Sequence, residues 1–241
     1  MIARVLKRTL RQLGVEVSRC DPRLSPPEAL ARLFATQGVD LVFDVGANVG
    51  NYGRELRASG FKGRIVSFEP RKAAHAALVE KASHDPRWVV APAMALGNAE
   101  GEAEIHIAGN SASSSIREMT RLHEQAAPES RYVGKENIQL RRLDSVFADY
   151  VGDSSCPFLK IDTQGYELEV LDGARSCLER FAGIRAELSL SELYKGQTLW
   201  LDFALRLKRE GFQLANLFPV FSDYATGRLL QVDGVFFRQL A

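Results

Sequence analysis

The sequence predicts an α/β domain in which a mostly parallel sheet is covered by helices on both faces. Apolar strands alternate with helix-spaced segments along most of its 241 residues, which is the pattern of such sheets. The strand Leu41–Val45 runs directly into a glycine turn, from Gly46 to Gly50, that opens a helix. A second strand, at residues 65–68, then ends in the acid Glu69. This succession is the nucleoside-binding half of a doubly wound α/β fold.

Length and composition fit one globular domain with some decoration. The chain is 46% apolar and 25% charged, and its net charge of +1 favours neither a nucleic acid nor a strongly acidic partner. Its three cysteines, Cys20, Cys156 and Cys177, are widely spaced, which argues against a disulfide framework and predicts a reducing cytoplasm. No apolar run reaches the ~20 residues that span a bilayer, and the N-terminus lacks the apolar core of a signal peptide.

The first 40 residues are predicted to be a helical lead-in to a domain that occupies residues 41–241. At residues 2–13 apolar side chains recur at helical spacing, with basic residues on the other face. Two interpretations of this helix stay open: it lies on an anionic membrane surface or a partner, or it packs on its own domain. A proline-rich break separates it from a second predicted helix at residues 28–37.

After the second strand, the pattern predicts a helix at residues 71–83 and strands at 88–91 and 102–107. A polar segment that includes a run of serines then extends from residue 110 to about residue 135. It is long for a plain connection. It therefore predicts either a functional loop or lid, or a surface insertion of no consequence.

The second half of the chain continues the alternation of strands and helices. Residues 138–143 are a predicted strand ending at Asp144, whose side chain is expected to cap a helix at residues 145–150. Residues 157–162 form a buried strand, and a helix begins near Tyr166. The remaining predicted elements before the last strands are a helix at 175–180, a strand at 184–188 and a helix at 198–210.

The chain closes with two predicted strands, at residues 212–218 and 232–237. They are too close together for a helical crossover, so they are expected to pair antiparallel. A mostly parallel sheet that finishes in an antiparallel strand is the seven-stranded, Rossmann-like arrangement of class I methyltransferases rather than that of dehydrogenases.

The glycine turn favours one nucleoside cofactor over another. A dinucleotide site usually needs G-x-G-x-x-G, whereas this chain has G-x-x-x-G with Asn48 at the place of the middle glycine. Asp44 would repel a pyrophosphate and suits a cationic sulfonium, so the sequence favours S-adenosylmethionine over NAD. Glu69 is expected to accept hydrogen bonds from the ribose hydroxyls. The alternative is that Asp44 only caps the following helix and Glu69 is a surface acid.

Four acids, Asp44, Glu69, Asp162 and Glu187, are predicted at the carboxyl ends of strands, where ligands bind in open α/β sheets. Lys160 lies two residues before Asp162 and so on the same face of its strand. We expect Asp162 to accept a proton from a substrate hydroxyl, while Lys160 favours its ionised form or stabilises developing negative charge. Two alternatives stay open: a buried Lys160 ion pair that only orders the cleft, and a Mg²⁺ site made from the carboxylates.

Several short motifs occur in order between residues 41 and 237. They are VFDVGANVG at 42–50, FEP at 68–70, ALG at 95–97, SSS at 113–115, LDS at 143–145, KIDTQGYE at 160–167 and DGVFF at 233–237. In this combination the chain resembles the FkbM family of methyltransferases. The resemblance implies an S-adenosylmethionine-dependent O-methyltransferase that acts on a hydroxyl of a sugar, a glycolipid or a related natural product.

The resemblance also implies roles for individual residues. The cofactor-binding residues that it implies are Asp44, Gly46, Asn48, Gly50 and Glu69, with Ala95, in the segment 94–96, on the adenine. It does not fix the base. Asp162 is the first candidate, Glu187 the second, and His106, on a predicted strand near the serines, is a third.

Two other functions stay open on the sequence alone. An NAD-dependent oxidoreductase would need the glycine turn that the chain lacks. A non-catalytic S-adenosylmethionine-binding partner protein would need no base, and the presence of Asp44, Glu69 and Asp162 argues against it. The expected acceptor is a hydroxylated small molecule, glycan or glycolipid and not a nucleic acid, while the oligomeric state stays open.

Overall fold

The computed structural model describes residues 26–238, so the predicted helix at residues 2–13 lies outside the described part of the chain. The strands are β1 (Leu41–Val45), β2 (Arg64–Phe68), β3 (Trp88–Val90), β4 (Ala95–Leu96), β5 (Gly101–Ala108), β6 (Tyr132–Arg141), β7 (Pro157–Ile161), β8 (Gly183–Ser189), β9 (Gln213–Asp223) and β10 (Arg228–Phe237). The helices are α1 (Pro26–Gln37), α2 (Asn51–Ala58), α3 (Lys72–Ala82), α4 (Arg121–Ala126), α5 (Leu143–Val151), α6 (Glu167–Asp172) and α7 (Trp200–Arg209).

The main sheet has seven strands in the order β3-β2-β1-β7-β8-β10-β9. Neighbouring strands are parallel, except that β10 runs antiparallel to both β8 and β9. The prediction of a mostly parallel sheet that ends in an antiparallel strand is therefore confirmed. This is the α/β, Rossmann-like fold of class I methyltransferases.

The strand order reverses between β1 and β7, and this reversal positions the site. Strands β2 and β3 lie on one side of β1, whereas β7 lies on its other side and is the first strand of the opposite half of the sheet. In the pairing of β1 with β7, Asp44 lies opposite Lys160 and Val45 opposite Ile161, so the two strands end at the same level. The loops that follow them diverge, which leaves a cleft at this edge of the sheet.

Strand β1 is buried throughout because both faces of the sheet are covered. Phe43 packs on one face against the rings of Phe147 and Phe181. Val42 belongs to a second apolar cluster, which includes Phe34 of α1. The two clusters enclose the strand whose end carries the glycine turn. In the described part of the chain no helix has the length and apolar character needed to cross a membrane.

A second, three-stranded sheet of order β4-β6-β5 was not predicted as a separate unit. Strand β6 begins at Tyr132, well before the predicted start at residue 138, and pairs antiparallel with β5. The end of the polar segment is therefore part of a strand. Leu143 opens helix α5 instead of closing the strand.

The prediction for Asp144 was wrong. Its side chain makes no cap on α5; its Oδ1 accepts backbone N–H bonds from Ser176, at 2.9 Å, and Cys177, at 3.1 Å. These bonds hold the chain in turns there, so the predicted helix at 175–180 is only a 3₁₀ turn, Leu178–Arg180.

Candidate active site

A cavity of about 280 Å³ opens at the carboxyl ends of the main sheet. Small-molecule sites begin at roughly this size, about 300 Å³. Its walls come from the loops after β1, β2 and β7, from Glu187 within β8 and from residues 111–116. Six of the nine predicted site residues line it: Gly46, Asn48, Glu69, Ala95, Asp162 and Glu187. Asp44, Gly50 and Lys160 do not.

Packing requires both glycines of the turn. Gly46 has a φ of 74°, and a Cβ there would lie 1.8 Å from the carbonyl oxygen of Asp162, so only glycine lets the loops after β1 and β7 touch. Gly50 has a φ of 79°, and a Cβ there would lie 2.8 Å from the side chain of Leu78 and 3.2 Å from Trp88. Gly50 thus lets helix α2 pack closely on Leu78 and Trp88, and it does not border the cavity; its predicted cofactor contact stays a prediction.

Asp44 and Lys160 form a buried ion pair outside the cavity lining. The Nζ of Lys160 lies 3.0 Å from Asp44 Oδ1 and 3.5 Å from Asp162 Oδ2. The other oxygen of Asp44 accepts a bond from the Ser67 hydroxyl at 3.0 Å. Burial lowers the pKa of Lys160, but the two carboxylates outweigh it and raise the pKa above its ordinary value. Asp44 is thus connected to the Asp162 carboxylate through Lys160, and the prediction that Asp44 contacts the cofactor stays a prediction.

One wall, which we call the β2 side, consists of Asn48, Glu69 and Arg71. Glu69 Oε1 accepts bonds from the backbone N–H and the Nε of Arg71, both at 3.1 Å. Glu69 Oε2 accepts the backbone N–H of Asn48 at 2.9 Å. Burial raises the pKa of Glu69, and the guanidinium of Arg71 and these donors oppose that rise. A charged carboxylate on this side is thus matched by a cation and by backbone donors.

Residues 111–115, the serine segment, connect this wall to the opposite one. The guanidinium of Arg71 donates to the hydroxyls of Ser111 and Ser114, both at 3.1 Å. The Ser115 hydroxyl donates to the backbone carbonyl of Gln164 at 2.6 Å. Ser111 and Ser114 also line the cavity, so this part of the polar segment belongs to the wall of the site.

The opposite wall, the β7–β8 side, consists of Asp162, Gln164 and Glu187. The Nε2 of Gln164 donates to Asp162 Oδ1 at 2.9 Å and to Glu187 Oε2 at 2.8 Å. Its Oε1 accepts a bond from the Tyr194 hydroxyl at 2.6 Å. Gln164 has a φ of 56°, in the left-handed region that glutamine seldom adopts, and such strained residues cluster at functional sites. The Asp162 side chain is 40% exposed, so it is open to a ligand.

Among the described residues, no cation donates a hydrogen bond to Glu187. Its Oε2 accepts a second amide bond, from Gln231 Nε2 at 2.8 Å. Burial, together with the negative charges of Asp162, Glu167 and Asp233, raises the pKa of Glu187 well above its ordinary value. Burial and these charges therefore favour the uncharged form of Glu187 more than that of an exposed glutamate.

Glu167, in the first turn of α6, is a second buried acid close to this wall. Its Oε1 accepts the backbone N–H groups of Thr163, at 2.9 Å, and Gly165, at 3.1 Å, and so fixes the turn that carries Gln164. Burial raises the pKa of Glu167 to about 7, and the nearby charge of Asp162 acts in the same direction. Across residues 26–238 no three or more His, Cys, Asp or Glu side chains are grouped so as to hold a metal ion.

An apolar wall completes the cavity. It includes Phe68 and the whole predicted segment 94–96. Tyr166, where the sequence predicts the start of a helix, also lines the cavity. His106 does not; its ring stacks on Tyr132 with the centroids 4.7 Å apart. Tyr194 reaches the site only through its hydroxyl, since its side chain is buried.

Two residues of the site, Arg71 and Gln164, were not predicted to act there. Arg71 was assigned to the following helix, yet it precedes α3 and binds Glu69 two residues away. Gln164 was assigned only to a turn. Their positions next to Glu69 and Asp162 were the available signals, but their main partners lie in distant segments of the chain.

Comparison with known proteins agrees with this geometry. A model of the methyltransferase FkbM domain matches residues 44–214, which is most of the chain. The chain belongs to the FkbM methyltransferase family. It is also similar to the 2-O-methyltransferase NoeI of Sinorhizobium fredii (strain NBRC 101917 / NGR234), with 28% identity over 186 residues that cover 74% of each protein.

Solved structures with a similar fold are more distant from this FkbM methyltransferase family member. Sp1610 of Streptococcus pneumoniae, solved in complex with S-adenosyl-L-methionine, is 14% identical with a TM-score of 0.49, covering 90% of this chain and 74% of that one. A TehB-like methyltransferase from Corynebacterium glutamicum is 15% identical with a TM-score of 0.41, covering 99% of this chain and 96% of that one. Neither likeness is close enough to bear on function.

Proposed function

We propose that this FkbM family member is an S-adenosylmethionine-dependent O-methyltransferase whose acceptor is a hydroxyl of a sugar, a glycolipid or a related natural product. The observation that carries the proposal is one cavity that joins Glu69, at the end of β2, to Asp162, at the end of β7. The similarity to a protein named as a 2-O-methyltransferase supports transfer to oxygen.

The lining fits S-adenosylmethionine in three respects. Glu69 borders the cavity, where a carboxylate at the end of β2 accepts the ribose hydroxyls in this kind of fold. The apolar segment 94–96 offers a surface for a flat adenine ring. Asp162 gives the opposite wall a negative charge that favours a sulfonium cation. The bound cofactor would supply an electrophilic methyl group.

The residues of the β7–β8 side supply the chemistry that a hydroxyl acceptor needs. A hydroxyl must lose its proton as its oxygen becomes methylated, and an exposed carboxylate within reach accepts it. Asp162 takes this role because it opens into the cavity. The Nζ of Lys160, 3.5 Å from Asp162 Oδ2, orients this carboxylate from the side away from the cavity lining.

The lining argues against a pyrophosphate-containing cofactor such as NAD. Among the described residues that border the cavity, the only basic side chain is Arg71, and Glu69 already neutralises it. A pyrophosphate would face Asp162 and Glu69 without a cation of its own. An oxidoreductase is therefore the weaker proposal.

Isothermal titration of the purified chain with S-adenosylhomocysteine, with NAD as the control, tests the cofactor. Micromolar binding of S-adenosylhomocysteine alone is the expected result. Transfer of labelled methyl from S-adenosylmethionine to hydroxylated sugars and glycolipids then tests the reaction. Binding of NAD alone would contradict the proposal, and cofactor binding without transfer across the panel would favour a non-catalytic partner protein.

A further inference from the structure

A single amide nitrogen connects the two carboxyl groups of the β7–β8 side, Asp162 and Glu187. The Nε2 of Gln164 lies 2.9 Å from an oxygen of Asp162 and 2.8 Å from an oxygen of Glu187. Because an amide has only two N–H bonds, both are used, one on each acid. Gln164 therefore sets the positions of both carboxyl groups at once.

Gln164 is itself held in place by two contacts. The Tyr194 hydroxyl donates to its side-chain oxygen at 2.6 Å, which fixes the amide nitrogen toward the acids. The Ser115 hydroxyl donates to its backbone carbonyl at 2.6 Å. The left-handed backbone at this position persists because these contacts and the turn fixed by Glu167 over-determine it.

The two oxygens of Glu187 have different surroundings. Oε2 accepts both amide bonds, from Gln164 and from Gln231. Oε1 has no hydrogen-bond partner among residues 26–238, although Glu187 lines the cavity. A proton on Oε1 would thus leave every amide bond intact and would be offered to a ligand.

The charges around Glu187 also favour this arrangement. The acids that face it are Asp162, Glu167 and Asp233, and the nearby cation is Lys160. Lys160 is shared between Asp44 and Asp162, while Asp233 is paired with Arg185 at 2.6 Å. Of the ion pairs formed by residues 26–238, none includes Glu187, whereas Asp162 is paired with Lys160.

We propose that Gln164 positions two carboxyl groups that have different tasks: it orients Asp162 as the proton acceptor and, with Gln231, orients Glu187 so that a proton kept on Oε1 donates a hydrogen bond to the acceptor. This inference rests on the proposed methyl transfer. The acceptor oxygen gains a bond to carbon and gives its proton to Asp162, and the electron pair of the broken carbon–sulfur bond stays on sulfur. Glu187 keeps its proton throughout.

The protonation of Glu187 is measurable without any substrate. Carboxyl ¹³C NMR of the glutamate-labelled full chain, with Glu187→Gln to assign the signal, is expected to show Glu187 protonated at pH 7. A signal that titrates near the ordinary glutamate value of about 4.3 would overturn the proposal. Because this readout needs no methyl transfer, it also distinguishes failure of this inference from failure of the proposed function.

Kinetics of two substitutions at Glu187 test its task. Glu187→Ala removes the donor and is expected to lower kcat/KM by ~10²-fold. Glu187→Gln keeps an N–H donor and an oxygen for both amides, and it is expected to restore most of that loss. An equal loss in both variants would mean that Glu187 must ionise, which contradicts the proposal.

A matched pair of variants tests Gln164 as a positioning residue. Gln164→Gly accepts the left-handed backbone, so it removes the amide with little strain. It is expected to lower kcat about tenfold and to move the acid limb of the kcat/KM profile to higher pH, because ionised Asp162 loses a donor. Gln231→Met removes the other amide, which does not touch Asp162, and is expected to leave that limb in place. An unmoved limb in Gln164→Gly would overturn the assignment.

Discussion

The two walls of the cavity hold their carboxyl groups in opposite ways. On the β2 side, Glu69 is bound by the guanidinium of Arg71 and by backbone N–H groups. On the β7–β8 side, the described part of the chain binds the Glu187 carboxyl group only through the uncharged amides of Gln164 and Gln231. Both acids are buried, with 3% and 9% of their surface exposed, so burial does not distinguish them.

The difference lies in the partners: burial raises the pKa of both acids, and a cation bound to the carboxylate opposes that rise at Glu69. A cation offsets the desolvation of a carboxylate, whereas an amide supplies a donor without a charge. The β2 side therefore suits a task that needs a fixed negative charge, such as holding ribose hydroxyls. The β7–β8 side suits a task in which protons are held and moved.

The largest effect is expected from removing the charge of Asp162. Asp162→Asn should lower turnover by ~10²-fold or more, because the acceptor loses its base, and should change cofactor affinity only a few fold. Radiometric assay and calorimetry measure the two quantities. Asp149→Asn, at an exposed acid of α5, is the control. Full turnover in Asp162→Asn would show that Asp162 on this wall is not the proton acceptor.

A second test uses the buried acid that fixes the turn beside Asp162. The pKa of Glu167 is raised to about 7 in the folded chain from 4.5, so its contribution to stability is full below pH 4.5 and is lost as pH rises to about 7. Between these values the wild-type chain should lose about 3 kcal/mol of unfolding free energy relative to Glu167→Gln. Urea denaturation at each pH measures the difference.

The comparison with Glu167→Gln also removes the contribution of His123, whose titration changes the stability in the opposite direction. Burial lowers the pKa of His123 to about 4 from 6.5, so the neutral histidine contributes stability that is lost as pH falls from about 6.5 to 4. His123 is present in both chains and drops out of their difference. Parallel stability curves for the two chains would show that Glu167 ionises normally.

On the β2 side, we expect a substitution of Glu69 to weaken cofactor binding rather than to slow the chemical step. Glu69→Ala should weaken binding of S-adenosylhomocysteine by about 1.5–3 kcal/mol, which is tenfold or more, because a charge-assisted ribose contact is removed. Glu104→Ala, at an exposed acid paired with Lys135, is the control in the same calorimetric titration. Unchanged affinity in Glu69→Ala would remove the ribose assignment.

The smallest expected effect concerns the contact between the loops after β1 and β7. Gly46→Ala should lower the free energy of unfolding by about 1–3 kcal/mol more than Gly38→Ala. Both glycines have a similar positive φ, 74° and 71°, but a Cβ at Gly38 meets nothing within 4 Å. Thermal unfolding compares the variants, and equal losses would show that conformation alone, and not the contact with Asp162, requires Gly46.

Features that are determined by residues close together in the sequence could be predicted from it. The apolar run at β1 and the turn after it were predicted with the observed bounds, because a buried strand and its glycines are encoded within ten residues. The small sheet was missed because β4 is only Ala95–Leu96, too short to give a periodic pattern.

The site was less predictable because its hydrogen bonds join distant segments. Arg71 reaches serines 40 and 43 residues away, and Gln164 reaches Tyr194 30 residues away. Asp144 has a pattern typical of a helix cap, yet its acceptor oxygen serves backbone groups 32 and 33 residues further on. The secondary-structure propensities of nearby residues do not indicate which distant residues will form these hydrogen bonds, because only the folded sheet brings them together.

The serine segment touches both walls, and this has a kinetic consequence. Moving residues 111–115 away from the cavity breaks the bonds of Ser111 and Ser114 to Arg71 and the bond of Ser115 to Gln164 together. The amides of this segment and of Gln164 should then exchange with solvent deuterium as one cooperative unit. The dissociation of a ligand from either wall would share that opening, so the off-rates of two chemically different molecules would rise and fall together.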